Sequence, residues 1–325
     1  MKKILALILA LAMIAALFVG CGKTDDTKTP SDSKGSEDVQ NSDEPGGEGK
    51  TVKVGLICIG DENDMGYTYN FIRGKDAATE ALAAKGINVE WMVKWNIGED
   101  AKCEEANIEL AEAGCQLIIN NSFGHEQFML KVAPDYPNIQ FVGCTNQGSW
   151  GDSYENTHNA FANIYEGRYL AGVVAGMKLQ ELIDKGEIKE DEAVIGYVGA
   201  YSFAEVISGF TAYFLGARSV CPSVTMNATE ESNAASALCD LGCKLISQHS
   251  DNTTPATTAQ TKGAFHTGYN NDMTGIAPEA SLISSRIDWS VYFEYVFDCL
   301  VNGETIAKDW TAGMKDGAVV VTELN

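Results

Sequence analysis

The strongest constraint on the fold is an alternation that begins at Thr51, where short β-rich apolar runs alternate with amphipathic stretches of helical length. Such an alternation is typical of βαβ units, which build parallel sheets covered by helices. We predict a first unit of strands separated by helices. The strands are Val52–Ile59, Asn88–Lys94, Cys115–Asn120 and Ile139–Gly143, and the helices are Tyr67–Ala84, Glu99–Ala113 and Gly124–Ala133.

The same architecture repeats after a predicted helix at Tyr165–Leu182. In this second unit we predict strands Ala193–Val198, Cys243–Gln248 and Ala264–Gly268, and helices Phe203–Ala217, Glu230–Leu241 and Thr253–Lys262. Ser281–Ile287 is predicted to return to the first unit as a strand, followed by a helix at Trp289–Val301 and a last strand at Ala318–Thr322. The sequence therefore predicts an α/β protein with two Rossmann-like lobes, 51–163 plus 281–325 and 164–280, and a ligand cleft between them.

The N-terminal residues have the layout of an export signal. Met1-Lys2-Lys3 precedes an unbroken apolar run, Ile4–Val19, which is shorter than a membrane-spanning helix usually requires. The run ends in Leu17-Phe18-Val19-Gly20-Cys21, which resembles the bacterial lipobox, although Phe18 stands where leucine is usual. We predict a lipoprotein signal peptide over residues 1–21 with Cys21 as the lipidation site. A plain signal peptide with a chance cysteine is the alternative.

Residues 22–50 contain no aromatic residue and a single large aliphatic one, Val39. Such a segment cannot bury enough apolar surface to offset the entropy lost on ordering. We predict a disordered stalk that joins a membrane anchor at Cys21 to the two-lobed domain, on the outer face of the cell membrane.

Composition excludes some functions. The net charge of −22, from 23 basic and 45 acidic residues, argues against nucleic acid as a partner. No HExxH, GxSxG or GxxxxGK[ST] motif occurs, and no CxxC pair occurs. We therefore expect no catalytic residues, metal site or cofactor. The eight cysteines after Cys21 are expected to be mostly buried free thiols, with a disulfide framework as the alternative.

Aromatic, carboxylate and amide side chains recur after nearly every predicted strand. Because parallel strands present their carboxyl ends to the cleft, we predict these side chains to bind a ligand there. The candidates are Asp64, Gly66, Tyr67, Tyr69, Asn121, Ser122, Phe123, Tyr201, Phe203, Glu205, His249, Asp251, Tyr269, Asn270 and Trp289. Rings stack on flat ligands and polar groups bind their edges, which suits an uncharged base, nucleoside or sugar. Each residue has a structural alternative, because the tyrosines could pack on a sheet and the Asp and Asn residues could cap helices.

In these stretches the sequence resembles the BMP, or basic membrane protein, family of PnrA-like bacterial lipoproteins. The resemblance spans nearly all of residues 51–325. Its most specific segments are Asp64–Tyr69, Asn121–Gly124, Ile164–Gly172, Gly216–Val220 and Ile246–Asp251. The resemblance implies a type I periplasmic-binding-protein-like fold and a substrate-binding role in nucleoside or nucleobase import, with an ABC permease and ATPase as partners.

Two differences from the family pattern bear on this expectation. Tyr67 stands where the purine-base branch usually has tryptophan. Between Met226 and Asn227 a strand and a Trp-and-Asp segment of the family are missing, which predicts a second lobe with one strand fewer. The resemblance also implies that relatives continue past the position of Asn325 into the first lobe.

Taken with this resemblance, the sequence predicts a lipid-anchored binding protein, and the resemblance implies that it captures a purine base or nucleoside for ABC-type import. Two alternatives stay open, namely a sensor lipoprotein that reports ligand to a membrane receptor and a sugar-binding protein of the same fold.

Overall fold

The computed structural model describes residues 50–144, 151–229 and 234–325. The predicted signal peptide, Cys21 and all of the predicted stalk except Lys50 lie outside the described residues. Lys50 is already the first residue of a strand. Within the described part of the chain, no helix is both long and apolar enough to cross a bilayer.

The described residues form two six-stranded sheets. The strands are β1 Lys50–Ile57, β2 Ile87–Lys94, β3 Leu117–Asn120, β4 Gln140–Gly143, β5 Thr157–Ala160, β6 Val194–Val198, β7 Thr225–Thr229, β8 Leu245–Gln248, β9 Phe265–Tyr269, β10 Ser281–Ile287, β11 Asp309–Trp310 and β12 Val319–Val321. The α-helices are α1 Tyr67–Ala84, α2 Ala101–Glu112, α3 Glu126–Val132, α4 Tyr165–Asp184, α5 Ala204–Val220, α6 Ala234–Asp240, α7 Thr254–Lys262 and α8 Trp289–Asn302.

The first sheet has the order β11-β5-β4-β3-β1-β2 with every pair parallel. The second has the order β12-β10-β9-β8-β6-β7, in which only the β10–β12 pair is antiparallel. The chain passes between the sheets after β5, after β10 and after β11. We call the first sheet with α1, α2, α3 and α8 the first lobe, and the second sheet with α4 to α7 the second lobe. The predicted two-lobed α/β fold is confirmed.

The prediction that Ser281–Ile287 returns to the first unit is wrong. This strand, β10, pairs with β9 in parallel and with β12 in antiparallel orientation, so it belongs to the second sheet. The chain enters the first lobe only with α8, whose buried face packs on α1. An apolar pattern indicates that a strand is buried, but it does not determine which of two buried sheets contains the strand.

The expected loss of a strand after Met226 is also wrong. Thr225–Thr229 forms β7, which pairs in parallel with β6 over its whole length and lies at the edge of the second sheet. Its mostly exposed side chains explain why an apolar pattern did not reveal it. The short strands β5 and β11 were likewise not predicted. The predicted helix at Glu230–Leu241 begins among residues outside the description and is seen as α6 from Ala234.

Each sheet carries a buried apolar cluster on both faces. Close helix contacts depend on glycines in the second lobe: a Cβ at Gly172 would lie 2.0 Å from the carbonyl oxygen of Tyr213, and one at Gly216 would lie 2.1 Å from that of Tyr169. Helices α4 and α5 therefore touch backbone to backbone. Of the eight cysteines among the described residues, all are free and all but Cys239 are buried, as expected for small apolar side chains.

Candidate functional site

A cavity of about 240 Å³ lies between the two lobes, at the carboxyl ends of their strands. Its walls come from both lobes, so neither lobe forms the site alone. The first lobe contributes Ile59, Tyr67, Glu99, Ser122, Phe123, Cys144 and Phe161, and the second contributes Ala200, Tyr201, Phe203, Ala204, Glu205, Val206, His249, Asp251 and Tyr269.

Most of the residues predicted from the strand ends reach this cavity. Those lining it are Tyr67, Ser122, Phe123, Tyr201, Phe203, Glu205, His249, Asp251 and Tyr269. The others, Asp64, Gly66, Tyr69, Asn121, Asn270 and Trp289, do not line it. Whether any of them contacts a ligand stays a prediction.

Asp64 and Gly66 organise the start of α1. The carboxylate of Asp64 accepts hydrogen bonds from the backbone N–H groups of Gly66, Thr68 and Tyr69, at 2.8, 2.9 and 3.0 Å. These donors have no partner within a helix, so the carboxylate holds the first turn that carries Tyr67 into the cleft. Gly66 lies against the second lobe, where a Cβ would be 2.7 Å from the Cα of Asp251.

Asn121 and Asn270 have structural contacts. The backbone N–H of Ile59 donates to Oδ1 of Asn121 at 2.9 Å, which fixes the loop after β1. Asn270 has a φ of 59° and joins the lobes, because its Oδ1 accepts from Asn70 in α1 at 3.2 Å. The Arg73 guanidinium also donates to the Asn270 carbonyl at 3.0 Å, and it lies 5.7 Å from the ring centroid of Tyr69.

Trp289 lies in the core of the first lobe and is fully buried. Its indole stacks on Phe71, with 4.0 Å between the ring centroids. It also meets Tyr67 and Phe161 edge to face, at 6.4 and 6.2 Å, so it supports two rings that line the cavity from behind. The strand-end rule placed Trp289 near the site, but it did not tell which way the indole points.

Sequence reasoning missed several lining residues, of which Glu99 is the most informative. Glu99 follows β2, and its Oε1 accepts from the hydroxyl of Ser122 and the backbone N–H of Gly124, both at 2.7 Å. The strand-end rule also applies to Glu99, although the helical pattern of the sequence predicts it as the first residue of the helix Glu99–Ala113. Phe161 follows β5, and no signal revealed that strand.

Carboxylates dominate the charge of the cavity. Among the described lining residues none is lysine or arginine, whereas Glu99, Glu205 and Asp251 all reach the surface of the cavity. Burial in the cleft, and then the nearby carboxylates of Asp64 and Glu205, raise the pKa of Asp251 to about 7, although hydrogen bonds from the Tyr67 backbone and the Asn270 side chain act against this shift. The site therefore favours hydrogen-bond donors and disfavours anions.

Aromatic rings form the apolar part of the wall. Phe123 of the first lobe stacks on Phe203 of the second, with 4.1 Å between centroids and 11° between planes, and Tyr201 stacks on Phe203 at 5.3 Å. The Phe123–Phe203 pair is an apolar contact between the lobes. A flat ligand could enter between these two rings only if they separated to about 7 Å, which is two successive stacking distances.

The described residues contain no group of three or more His, Cys, Asp or Glu side chains placed to hold a metal ion. The imidazole Nε2 of His249 lies 2.8 Å from Oε1 of Glu205. His125, His158 and His266 do not line the cavity. The arrangement offers stacking faces and acceptors, which suit reversible binding.

Comparisons with known proteins show which sequences and folds this chain resembles. The family described as "ABC transporter substrate-binding protein PnrA-like" matches residues 51–325. The chain is 31% identical over 277 residues to a purine-binding protein of Brucella abortus (strain 2308), covering 82% of this chain and 74% of that protein. It is 29% identical over 298 residues to a putative ABC transporter glucose-binding protein of Haloferax volcanii, covering 88% and 71%.

Solved structures share the fold at low sequence identity. An ABC transporter solute-binding protein of Aeropyrum pernix K1 matches with a TM-score of 0.67 and 17% identity, covering 84% of this chain and 76% of that one. Another, from Conexibacter woesei, matches with a TM-score of 0.63 and 18% identity, covering 84% and 88%. These structures show the fold, whereas the family match over residues 51–325 and the 31% identity to the relative from Brucella abortus identify the chain as a member of the PnrA-like Bmp family of ABC transporter substrate-binding proteins.

Proposed function

We propose that this protein captures a purine nucleobase or nucleoside outside the cytoplasm and delivers it to an ABC permease and its ATPase. The observation that carries the proposal is the cavity between the lobes, which combines aromatic faces with carboxylate acceptors. Purines offer flat π faces and N–H donors along their edges, which match the two kinds of wall. The relative from Brucella abortus, which is named a purine-binding protein, supports the same ligand class.

The charge of the site separates nucleosides from nucleotides. A phosphate group would enter a cavity with three lining carboxylates and, among the described lining residues, no lysine or arginine. Placing a dianion there without a cationic partner is costly. We therefore expect bases and nucleosides to bind and their 5′-phosphates to bind far more weakly.

A sugar is the second candidate ligand. The relative from Haloferax volcanii is named a putative glucose-binding protein, and aromatic faces with carboxylate acceptors also suit a pyranose. Sugars expose hydroxyl donors on every edge but have no π face. Glucose and adenine therefore distinguish the two candidates directly.

Ligand capture is proposed to stabilise the closed arrangement of the lobes. Contacts between the lobes border the cavity, including the Phe123–Phe203 stack and the Gly66–Asp251 contact. A ligand that touches both walls binds the closed state better than an open one and shifts the equilibrium toward closure.

We further propose that Cys21 carries a lipid anchor and that the stalk lets the lobes reach a membrane partner. Incorporation of a radiolabelled or alkyne-bearing fatty acid into the wild-type protein, and its loss in Cys21→Ala, is the expected result. Label retained in Cys21→Ala would refute the anchor site. A sensor role would instead be indicated if deleting the partner permease left the cellular response to ligand intact.

The ligand is tested by purifying the protein after unfolding and refolding, so that bound cellular molecules are removed, and titrating it by calorimetry. The panel is adenine, guanine, adenosine, guanosine, glucose, and the 5′-monophosphates as matched anionic controls. Native mass spectrometry of protein that was never unfolded identifies any retained ligand. Binding of glucose with no binding of any purine would reject the proposal in favour of the sugar candidate.

A further inference from the structure

A fully buried cation lies behind the ligand cavity, in the second lobe. Arg168 of α4 has no accessible surface, and no carboxylate among the described residues forms an ion pair with it. Its Nη2 donates to the hydroxyl of Tyr197 at 2.8 Å and to that of Ser247 at 3.0 Å. Its Nη1 donates to the carbonyl of Gly268 at 3.2 Å. A buried guanidinium is costly, so its partners are informative.

The direction of the hydrogen bonds follows from what each group can donate. Arginine only donates, so the oxygen of Tyr197 accepts from Arg168. Burial raises the pKa of Tyr197, so its hydroxyl keeps its single proton. Within the described part of the chain, the other hydrogen-bond partner of that hydroxyl is Nδ1 of His249 at 3.2 Å. In the arrangement that uses the hydroxyl proton, Tyr197 donates to Nδ1 of His249, which is then an unprotonated acceptor.

This direction determines the tautomer of the next residue. With Nδ1 as the acceptor, the ring proton of neutral His249 is on Nε2, which lies 2.8 Å from Oε1 of Glu205. The hydroxyl of Tyr269 approaches the same Oε1 at 3.4 Å. Both donors therefore meet one oxygen of a carboxylate that lines the cavity. No described residue donates to the other oxygen, Oε2.

We propose that Arg168 is a positioning residue which, through Tyr197 and the Nε2–H tautomer of His249, holds Glu205 with Oε2 available to accept a hydrogen bond from an N–H donor of the ligand. The inference rests on the proposed function for the identity of the ligand. It adds that Glu205 is the group that accepts a hydrogen bond from the edge of the ligand that carries N–H donors.

The tautomer is tested first, in ligand-free wild-type protein labelled with [15N]histidine. Long-range 1H–15N spectra distinguish a ring nitrogen that carries a proton from one that does not, and His249→Gln assigns the signals. We expect an unprotonated Nδ1 and a protonated Nε2 for His249 at neutral pH. Protonation of Nδ1, alone or together with Nε2, would overturn the proposal. This measurement needs no ligand, so it stands even if the purine assignment fails.

The effect on binding is tested with Tyr197→Phe, which removes the hydroxyl of the chain but keeps the buried ring. The matched control is Tyr213→Phe. Tyr213 is also fully buried and faces the same guanidinium at 5.3 Å, but its hydroxyl bonds to Thr267 at 2.8 Å and also to Ser247, and among the described residues neither of these side chains hydrogen-bonds to His249 or Glu205. With adenine as the probe, Tyr197→Phe should weaken binding about tenfold and yield a mixture of His249 tautomers.

Tyr213→Phe should leave both the tautomer and the adenine affinity within about twofold of wild type, although it loses a buried hydrogen bond of similar worth to the fold. Equal losses of affinity in the two variants would overturn the proposal, because they would show a general effect on packing. A wild-type protein that has the expected tautomer but binds no adenine would refute the purine ligand and leave the Arg168–Tyr197–His249 chain in place.

Discussion

Gly66→Ala should weaken lobe closure, and with it ligand binding, while leaving the folding stability of the ligand-free protein nearly unchanged. The added Cβ would lie 2.7 Å from both the Cα and the Cβ of Asp251 and 3.0 Å from its carbonyl carbon. Ordinary carbon–carbon contacts are about 3.5–4.0 Å, so the lobes must separate by roughly 1 Å at this point. The clash joins the loop before α1 in the first lobe to Asp251 in the loop after β8 in the second, at the border of the cavity that Asp251 lines.

The magnitude follows from the cost of overpacking. Forcing an extra carbon into a packed contact typically costs about 1–3 kcal/mol. Because about 1.4 kcal/mol corresponds to a tenfold change, ligand affinity should fall by about 5- to 150-fold. The free energy of unfolding of the ligand-free protein should change by less than about 0.5 kcal/mol, because an open cleft relieves the clash without disturbing either core.

Calorimetry with the ligand found in the panel measures the affinity, and denaturant unfolding of ligand-free protein measures stability. Small-angle scattering should show a smaller ligand-induced decrease in the radius of gyration for the variant. Gly275→Ala is the matched control, because a Cβ there meets nothing within 4 Å. The reasoning would be refuted if Gly66→Ala bound ligand as tightly as Gly275→Ala, or if it lost as much folding stability as binding energy.

Three further outcomes are expected. The pKa of Asp251 is raised to about 7 in the closed protein from an ordinary 3.8, so the closed form binds more protons than the open form between these two pH values. Ligand affinity should therefore rise as pH falls from 8 toward 6. In calorimetric titrations, Asp251→Asn should flatten that rise. Trp289→Phe should keep ligand affinity within about twofold, because the indole is buried in the core of the first lobe and does not line the cavity. Trp289→Ala should lower the free energy of unfolding, measured in urea titrations, by about 3–5 kcal/mol. Gly172→Ala, whose Cβ would lie 2.0 Å from the Tyr213 carbonyl oxygen, should reduce the thermal midpoint by several degrees, because α4 and α5 of the second lobe would be forced apart; an unchanged midpoint would contradict the close helix contact.

Local signals predicted local structure well. The helix at Tyr67–Ala84 has the predicted bounds, because its periodicity and the polar turn before it are adjacent in sequence. The strand-end rule found residues such as Phe123, Glu205 and His249 because parallel strands bring their carboxyl ends to one edge wherever the strands lie in the chain. The rule needs no knowledge of which strands are neighbours.

The sequence did not predict features that depend on which strands pair with each other. Ser281–Ile287 was recognised as a strand but assigned to the wrong sheet, since hydrogen-bonding partners are chosen in three dimensions. The strand Thr225–Thr229 could not be predicted from the sequence, because an edge strand with exposed side chains lacks an apolar pattern. Trp289 and Asn121 follow strands as the candidates in the cavity do, yet their side chains turn into the protein.

The sequence by itself determined the α/β alternation, the lipobox-like segment that ends at Cys21, the acidic charge and the family to which the lobes belong. Each of these depends only on composition, on neighbouring residues or on the order of motifs along the chain. Only the tertiary structure decided that Arg168, Tyr197, His249 and Glu205 form one hydrogen-bonded chain behind the cavity. These contacts join α4, β6, α5 and the loop after β8, which are far apart along the chain. Their geometry depends on how two helices and a sheet pack, and no local pattern of residues contains that information.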